Sequence, residues 1–560
     1  MSTIAVERAR TLASVTALLV AFGDAALAQT STWTVALDAP DFAPRAVAAD
    51  RLDGALVVGA LSPSAAPTAG GDDVILRRTA PTGGSAWTVR LGSDAHDTPH
   101  AAWRDESANF LVAGSTRGVL GAAAFGDVDA WIARLDAQGG VTWIRQLGTA
   151  QYDEARAGCA SGAHHFVAGV TNGDFAAPNA GSNDVWIAKL DAAGSVLWRR
   201  QFGSSELDLV SALVDDGAGG VFLVGATNDG DLAGLIGGWD AWIARVDGAG
   251  VTLWIQQFGT FSTDSPAGAT SDGVGGLFVA GTTEGDFTGT ASYFGGADAW
   301  IARFDAQGQR LWSKQLGAFE EDTVAACCRD GEGGAFVIGS TDGVVFGSSA
   351  GLRDTWSARF DAAGAQVWVR QGDSGAEETA QCGAWDGGRG FYVAGAESFA
   401  GATSHWLRRE YAATLQTYCT SSTTTSGCAP SMGASGSPSA SATSGFILRA
   451  TQVEPQRLGV LFYGLDNGGF APLPWAVGST SWFCVRPPVQ RGPVSNSGGV
   501  IGQCVGVLSL DWSAFVSSGS GALGAPFVGG ETINAQAWFR DPTAPRGTNL
   551  SDALRFSVLP

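Results

Sequence analysis

The sequence predicts an all-β chain: a seven-bladed β-propeller closed by its own N-terminal strand, then a β-sandwich. Three observations carry that expectation. A tryptophan-containing unit of 55 to 58 residues recurs through the first 410 of the 560 residues. Glycine takes 80 positions while charged residues make up only 16%, as suits short strands joined by tight turns. Near residue 411 the repeat stops and the composition changes. Residues 419–560 hold seven arginines and six acids, a net of +1, so the whole of the net charge of −21 comes from the residues upstream.

The N-terminus reads as an export signal covering residues 1–28. Arg8 and Arg10 precede the apolar run Leu12 to Phe22, and Ala26-Leu27-Ala28 supplies a small-x-small cleavage pattern. The run is too short to span a bilayer. The mature chain is therefore expected to begin at Gln29 and to be secreted, periplasmic or held at the cell surface. In such oxidising surroundings cysteines pair.

Residues 29–410 are the expected propeller. Asp129-Ala-Trp-Ile-Ala-Arg-Leu-Asp136 returns at Asp240 and Asp298, and in weaker form at Asp73, Asp184 and Asp354. Fourteen residues after each aspartate stands a tryptophan: Trp87, Trp143, Trp198, Trp254, Trp312 and Trp368. Within a unit, four alternating apolar runs separated by Gly/Asp turns read as four strands. After Trp198 these are Val210 to Val214, Val221 to Gly225, Asp240 to Val246 and Leu253 to Phe258. Second strands are expected to end at Gly59, Gly114, Gly169, Gly225, Gly281, Gly339 and Gly395. The census reaches seven blades only if the strand of Trp33 completes the last one, which also removes an open edge.

The repeat DAWIARLDAxGxxxW, with DGxGGxFVAGxTxGDF, resembles the bacterial seven-bladed propeller repeat of the SBBP-type family over residues 33 to 410. The resemblance implies a fold and an exported location; the family brings no shared catalytic set.

Residues 411–560 read as a sandwich, with strands at Phe446 to Ala450, Leu458 to Tyr463, Trp482 to Arg486, Val505 to Leu510, Ala535 to Phe539 and Leu554 to Val558. Thr420 to Gly445 has the Ser/Thr/Gly composition of a linker. Tyr418-Cys-Thr, Gly427-Cys-Ala-Pro430, Leu461-Phe-Tyr-Gly464, Phe539-Arg-Asp-Pro542 and Leu550-Ser-Asp-Ala-Leu554 resemble a C-terminal module of exported planctomycete-like proteins, which implies no activity. Cys419, Cys428, Cys484 and Cys504 are expected to form two disulfides. Sequence proximity favours Cys419 with Cys428 and Cys484 with Cys504, although three connectivities exist.

Function is read by exclusion and by asymmetry. A net charge of −21 with two lysines, Lys189 and Lys314, argues against nucleic-acid binding. No HExxH, GxSxG or phosphate-cradling loop falls on suitable elements. Ten residues after the tryptophans come Asp97, Asp153, Asp208, Asp264, Asp322 and Glu378. Their recurrence points to capping of loop N–H groups. No cofactor is expected; calcium is the metal considered, but it needs six or more converging oxygens and no loop has the dense alternating carboxylates of a calcium motif. His96, His100 and His405 are the histidines placed for metal or acid/base work, though surface histidine is the preferred reading. Cys159, Cys327, Cys328 and Cys382 fall on first strands as small buried residues. The adjacent Cys327 and Cys328 also evoke quinoprotein dehydrogenases, whose hairpins resemble Leu135-Asp-Ala-Gln-Gly139.

What differs between blades is the loop joining second to third strands, where binding residues concentrate on rigid scaffolds. Trp239, Tyr293, Phe294 and Arg353 are the large side chains expected there. The function expected is that of a monomeric, non-catalytic binding or scaffold protein for an extracellular ligand, a glycan or a cell-surface component. An extracellular propeller enzyme acting on carbohydrate or a small molecule is the alternative.

Overall fold

The computed structural model describes residues 31–558, apart from 38–41, 51–53, 63–69, 81–82, 122, 229–230, 235, 290–293, 346–351, 373–374, 388–389, 400, 412–415, 422, 425, 436–437, 439, 441–442, 466, 519–520 and 528–530. The export-signal expectation on residues 1–28 and the candidate Tyr293 lie outside the described residues. The chain divides into two compact units, with a boundary in the sequence between Glu410 and Tyr411. No helix among the described residues is long and apolar enough to cross a membrane.

The first unit is all-β. Its described strands form seven four-stranded antiparallel sheets. Six are consecutive in sequence, such as Leu207–Asp215, Val221–Asn228, Trp239–Val246 and Thr252–Phe258. The seventh joins Glu377–Trp385, Gly390–Phe399 and Ala402–Tyr411 to Ser31–Ala36. Apart from the isolated bridges Val128–Tyr152 and Asn183–Leu207, the sheets are separate ladders, joined by side-chain packing and by backbone bonds at the crossings, such as Asp97 N to Asp72 O at 2.8 Å. First strands of successive sheets lie against one another, and Phe42–Ala49 also lies against Glu377–Trp385.

The tryptophans explain this packing. Trp131, Trp186, Trp242, Trp300 and Trp356, on third strands, are fully buried. Those on fourth strands reach the next sheet. Trp198 Nε1 donates to Gly248 O at 3.2 Å, and Trp87, Trp143, Trp254 and Trp312 repeat the bond one unit further along each time. The indole of Trp198 lies over Gly250, which has φ +84° and would press a Cβ to 3.0 Å from the ring. Only glycine fits both demands.

The second strands run past the glycines at which they were expected to stop: Val221–Asn228 continues three residues beyond Gly225. These glycines are mid-strand close approaches, not turn residues. A Cβ on Gly225 would stand 1.9 Å from Leu209 O and 2.4 Å from the Trp242 ring. Opposite each of them the first strand carries a β-bulge, here between Val210 and Ala212.

In the second unit, two sheets enclose one core. Thr532–Arg540 lies between Leu458–Gly464 and Thr548–Ser557, with Gln416–Tyr418 at one edge. Ser431–Ser435, Ile447–Val453 and Gly506–Asp511 make the other sheet. Phe446, Leu448, Tyr463, Leu508, Phe539 and Phe556 pack with Trp512 between them. Trp512 opens a helix, Trp512–Ser518, which the strand reading missed. Its signal was Asp511, whose Oδ1 accepts from Ala514 N at 2.9 Å as an N-cap. The strand expected at Trp482 to Arg486 is only Trp482–Phe483. Cys484 N donates to the Gln536 side chain, and Pro487 and Pro488 lack an N–H to extend a ladder.

The disulfides join Cys419 to Cys484 and Cys428 to Cys504, not neighbours in sequence. The turn that closes with Thr424 N on Cys428 O is tied through Ser426 N to Glu454. Val453 pairs with Gly506, so Cys428 is delivered beside Cys504. Tyr418 donates its hydroxyl to Cys484 O at 3.0 Å, bringing Cys419 to Cys484.

Candidate binding face

One end of the first unit gathers the crossings between sheets and the loops from second to third strands. Its frame is built from buried carboxylates. Asp97, Asp153, Asp208, Asp264 and Asp322 open the first strands and are fully buried. Each accepts the backbone N–H four residues earlier, as Asp208 does from Ser204 and Asp264 from Thr260. Glu378 instead accepts from Thr355 and Arg408. Burial raises the pKa of the five aspartates; the loop hydrogen bonds pull the other way, and the aspartate opening the neighbouring third strand adds to the rise.

The third-strand aspartates brace the loops through a residue the sequence reading passed over. Gln146, three residues after Trp143, accepts from Leu120 N and Gly121 N and donates to Gly118 O and Asp129. Gln201, Gln257, Gln315 and Gln371 make the matching bond to Asp184, Asp240, Asp298 and Asp354. In the first sheet Arg90 takes this place on Asp73. The constant spacing from tryptophan was the available signal. Among the described residues, no group of three or more His, Cys, Asp and Glu side chains assembles that could hold a metal.

The loop candidates are not equivalent. Trp239 is the first residue of a third strand, paired with Asn228, and only half-buried. Arg353 is not a displayed cation: it is half-buried, bonded to Asp342 at 3.1 Å and to Thr323 at 3.0 Å. Phe294 is 41% exposed, its N–H held by Asp298 at 2.9 Å. Phe125 at 51% and Phe399 at 68% are exposed as well, but the two most exposed aromatics among the described residues, both unnoticed, are Phe261 at 91% and Phe319 at 87%. Each stands seven residues after a fourth-strand tryptophan, where other crossings carry Asp94, Ala150, Ser205 and Gly375. Phe261 backs onto Gly237 and Phe319 onto Gly295, so both border the loops of Trp239 and Phe294.

The histidines part company. His96 is exposed beside Asp72, with 3.4 Å between Nδ1 and the carboxylate. His405 sits in the seventh sheet, its pKa lowered by burial. His100 lies in the bulge of the strand Asp97–Arg104. Its Nε2 is 3.2 Å from Ser115 Oγ and 3.5 Å from Glu154 Oε2. Glu154 is buried, accepts from Tyr152 Oη at 2.5 Å and pairs with Arg156. Burial lowers the His100 pKa; Glu154 opposes this, and Arg156 and Arg45 reinforce it.

Cys327 and Cys328 are free buried thiols on one strand, as is Cys382 on another, while Cys159 is free and half-buried. Burial pushes Cys327 and Cys382 up to about 12, so neither is a nucleophile at neutral pH. At the opposite end of the first strands, Ala48, Ala102, Trp103, Ala384 and Trp385 line a cavity of about 220 Å³.

No family model and no curated protein matches the chain. Solved structures of low identity align with it. The subtype N10 neuraminidase-like protein of A/little yellow-shouldered bat/Guatemala/060/2010 is 11% identical, with TM-score 0.32 over 68% of this chain and 99% of that one. Puromycin hydrolase is 14% identical, with TM-score 0.41 over 74% and 59%. The endosialidase of phage phi92 is 10% identical, with TM-score 0.35 over 68% of each.

Proposed function

We propose that this is an exported, non-catalytic binding or surface-scaffold protein. Its first unit is read as a seven-bladed propeller of the SBBP-type repeat, closed by the N-terminal strand, with its binding surface on the face of the long loops. Closure draws support from the strand Ser31–Ala36 beside Ala402–Tyr411, and from a core in which Phe42, Val47 and Val57 pack with Tyr392, Ala394 and Leu407. The observation carrying the binding reading is the pair Phe261 and Phe319. Two neighbouring crossings display an almost wholly exposed aromatic ring where the remaining repeats carry small or polar residues. Such rings are typical anchors for a glycan or protein surface.

A glycan array and attachment to intact bacterial cells provide the test. Replacing Phe261, Phe319 or Phe294 by alanine should weaken attachment by more than about 1 kcal/mol each, with an unchanged melting temperature. Attachment that ignores all three substitutions removes the aromatic rim from the reading. Turnover of a substrate that disappears with His100→Ala replaces it with an enzyme.

A further inference from the structure

Every first strand of the first unit carries its bulge at the same point, just after the residue that pairs with the second strand's glycine. The residue left out of the ladder is Arg45, His100, Arg156, Ser211, Ala267, Ala325 and Gln381 in turn. A bulge re-aims its side chain away from the pleat. Four sheets place a small or neutral group there. The three consecutive sheets that begin the unit place two guanidinium groups and an imidazole, in a chain whose acids outnumber its bases 54 to 33. First strands of neighbouring sheets lie side by side, so these residues take matching positions on adjacent strands, and His100 and Arg156 meet at Glu154.

The surroundings look built rather than incidental. Glu154, 2% exposed, is the buried anchor, holding Arg156 and Tyr152 and facing His100. Arg45 is exposed and makes no ion pair or side-chain hydrogen bond among the described residues, yet it lies close enough to His100 to act on it. Arg45 and Arg156 against the one carboxylate of Glu154 leave one guanidinium in excess. That balance suits one negative charge, and a guanidinium fork matches a planar carboxylate.

We propose that Arg45, His100 and Arg156 form a binding site for a small ligand bearing a single carboxylate. The proposal rests on the reading of the protein as a binder and adds a ligand class and residues separate from the aromatic rim. A sugar acid and a simple hydroxy acid share this chemistry.

Calorimetric titration of the mature protein at low salt with sodium D-glucuronate, sodium lactate and D-glucose tests it. Saturable binding of glucuronate is expected, with none of glucose; lactate binding alongside it shows that the carboxylate suffices, and its absence that the sugar ring is also read. Arg45→Ala should weaken binding about tenfold or more, and Arg45→Lys should restore part of it. Arg45 is exposed, so its loss should leave the fold intact. Glucose binding as tightly as glucuronate, no saturable binding of either carboxylate, or an undiminished Arg45→Ala protein each overturns the proposal. Phe261→Ala and Phe319→Ala should leave glucuronate binding unchanged. Their failure to impair surface attachment would sink the rim while leaving the Arg45 result standing.

Discussion

His165 shows how one buried side chain writes a pH dependence into the fold. It is 2% exposed, and its ring lies 6.3 Å from that of Trp143. Burial holds its pKa down to about 4, against about 6.5 in an unfolded chain. Between those values the unfolded state binds the extra proton, so stability rises with pH and is lost as pH falls from 6.5 to 4. The full window is worth roughly 3 kcal/mol for this group, at about 1.4 kcal/mol per pH unit. The five raised aspartates have the opposite sign, since the folded state is then the one that holds the proton. Comparing the parent with His165→Phe cancels their contribution. Urea melts from pH 7.5 to 4.5 should show a shallower acid loss in the variant, by about the slope of one proton. Parallel curves would mean that His165 titrates normally.

At the scale of strands, what the sequence disclosed depended on whether a feature repeated. The four-strand unit, the turns and the carboxylates opening strands were legible because each recurs at constant spacing from a tryptophan. Gln146 and its counterparts recurred equally, but glutamine carries no strong propensity to draw notice. The bulge was hidden because it is a property of pairing: Arg45, His100 and Arg156 become comparable only once the register of each first strand with its own second strand leaves them out of the ladder. Phe261 and Phe319 were legible in principle, as departures from the repeat. The disulfide partners were not, because pairing Val453 with Gly506, not sequence distance, selects Cys504 for Cys428. The N-terminal strand supplies the test at this scale. Deleting residues 29–38 strips Ser31–Ala36 from Ala402–Tyr411 and leaves an unpaired edge. The truncated protein should aggregate or melt earlier. A monomer with an unchanged melting temperature would leave that strand without a structural role.

The whole molecule divides its covalent reinforcement unevenly, and this separates the two units in an experiment. The first unit is held by repetition: seven separate ladders, each stapled to its neighbour by tryptophan and apolar packing, with four cysteines all left as free thiols. The second unit has one main core with a smaller cluster around Phe462, Val485 and Leu550, and it carries both disulfides, closing spans of 65 and 76 residues. Small cores draw much of their stability from such cross-links, about 2–4 kcal/mol for each. The tryptophan staples and Gln–Asp braces do not respond to reductant at all. Calorimetric unfolding of the mature chain should therefore show a transition that falls steeply when dithiothreitol is added and another that stays in place. Peptide mapping under non-reducing conditions should join Cys419 to Cys484 and Cys428 to Cys504. If reductant moves both transitions together, the first unit owes stability to the second unit's disulfides, and the independence argued from its free cysteines fails.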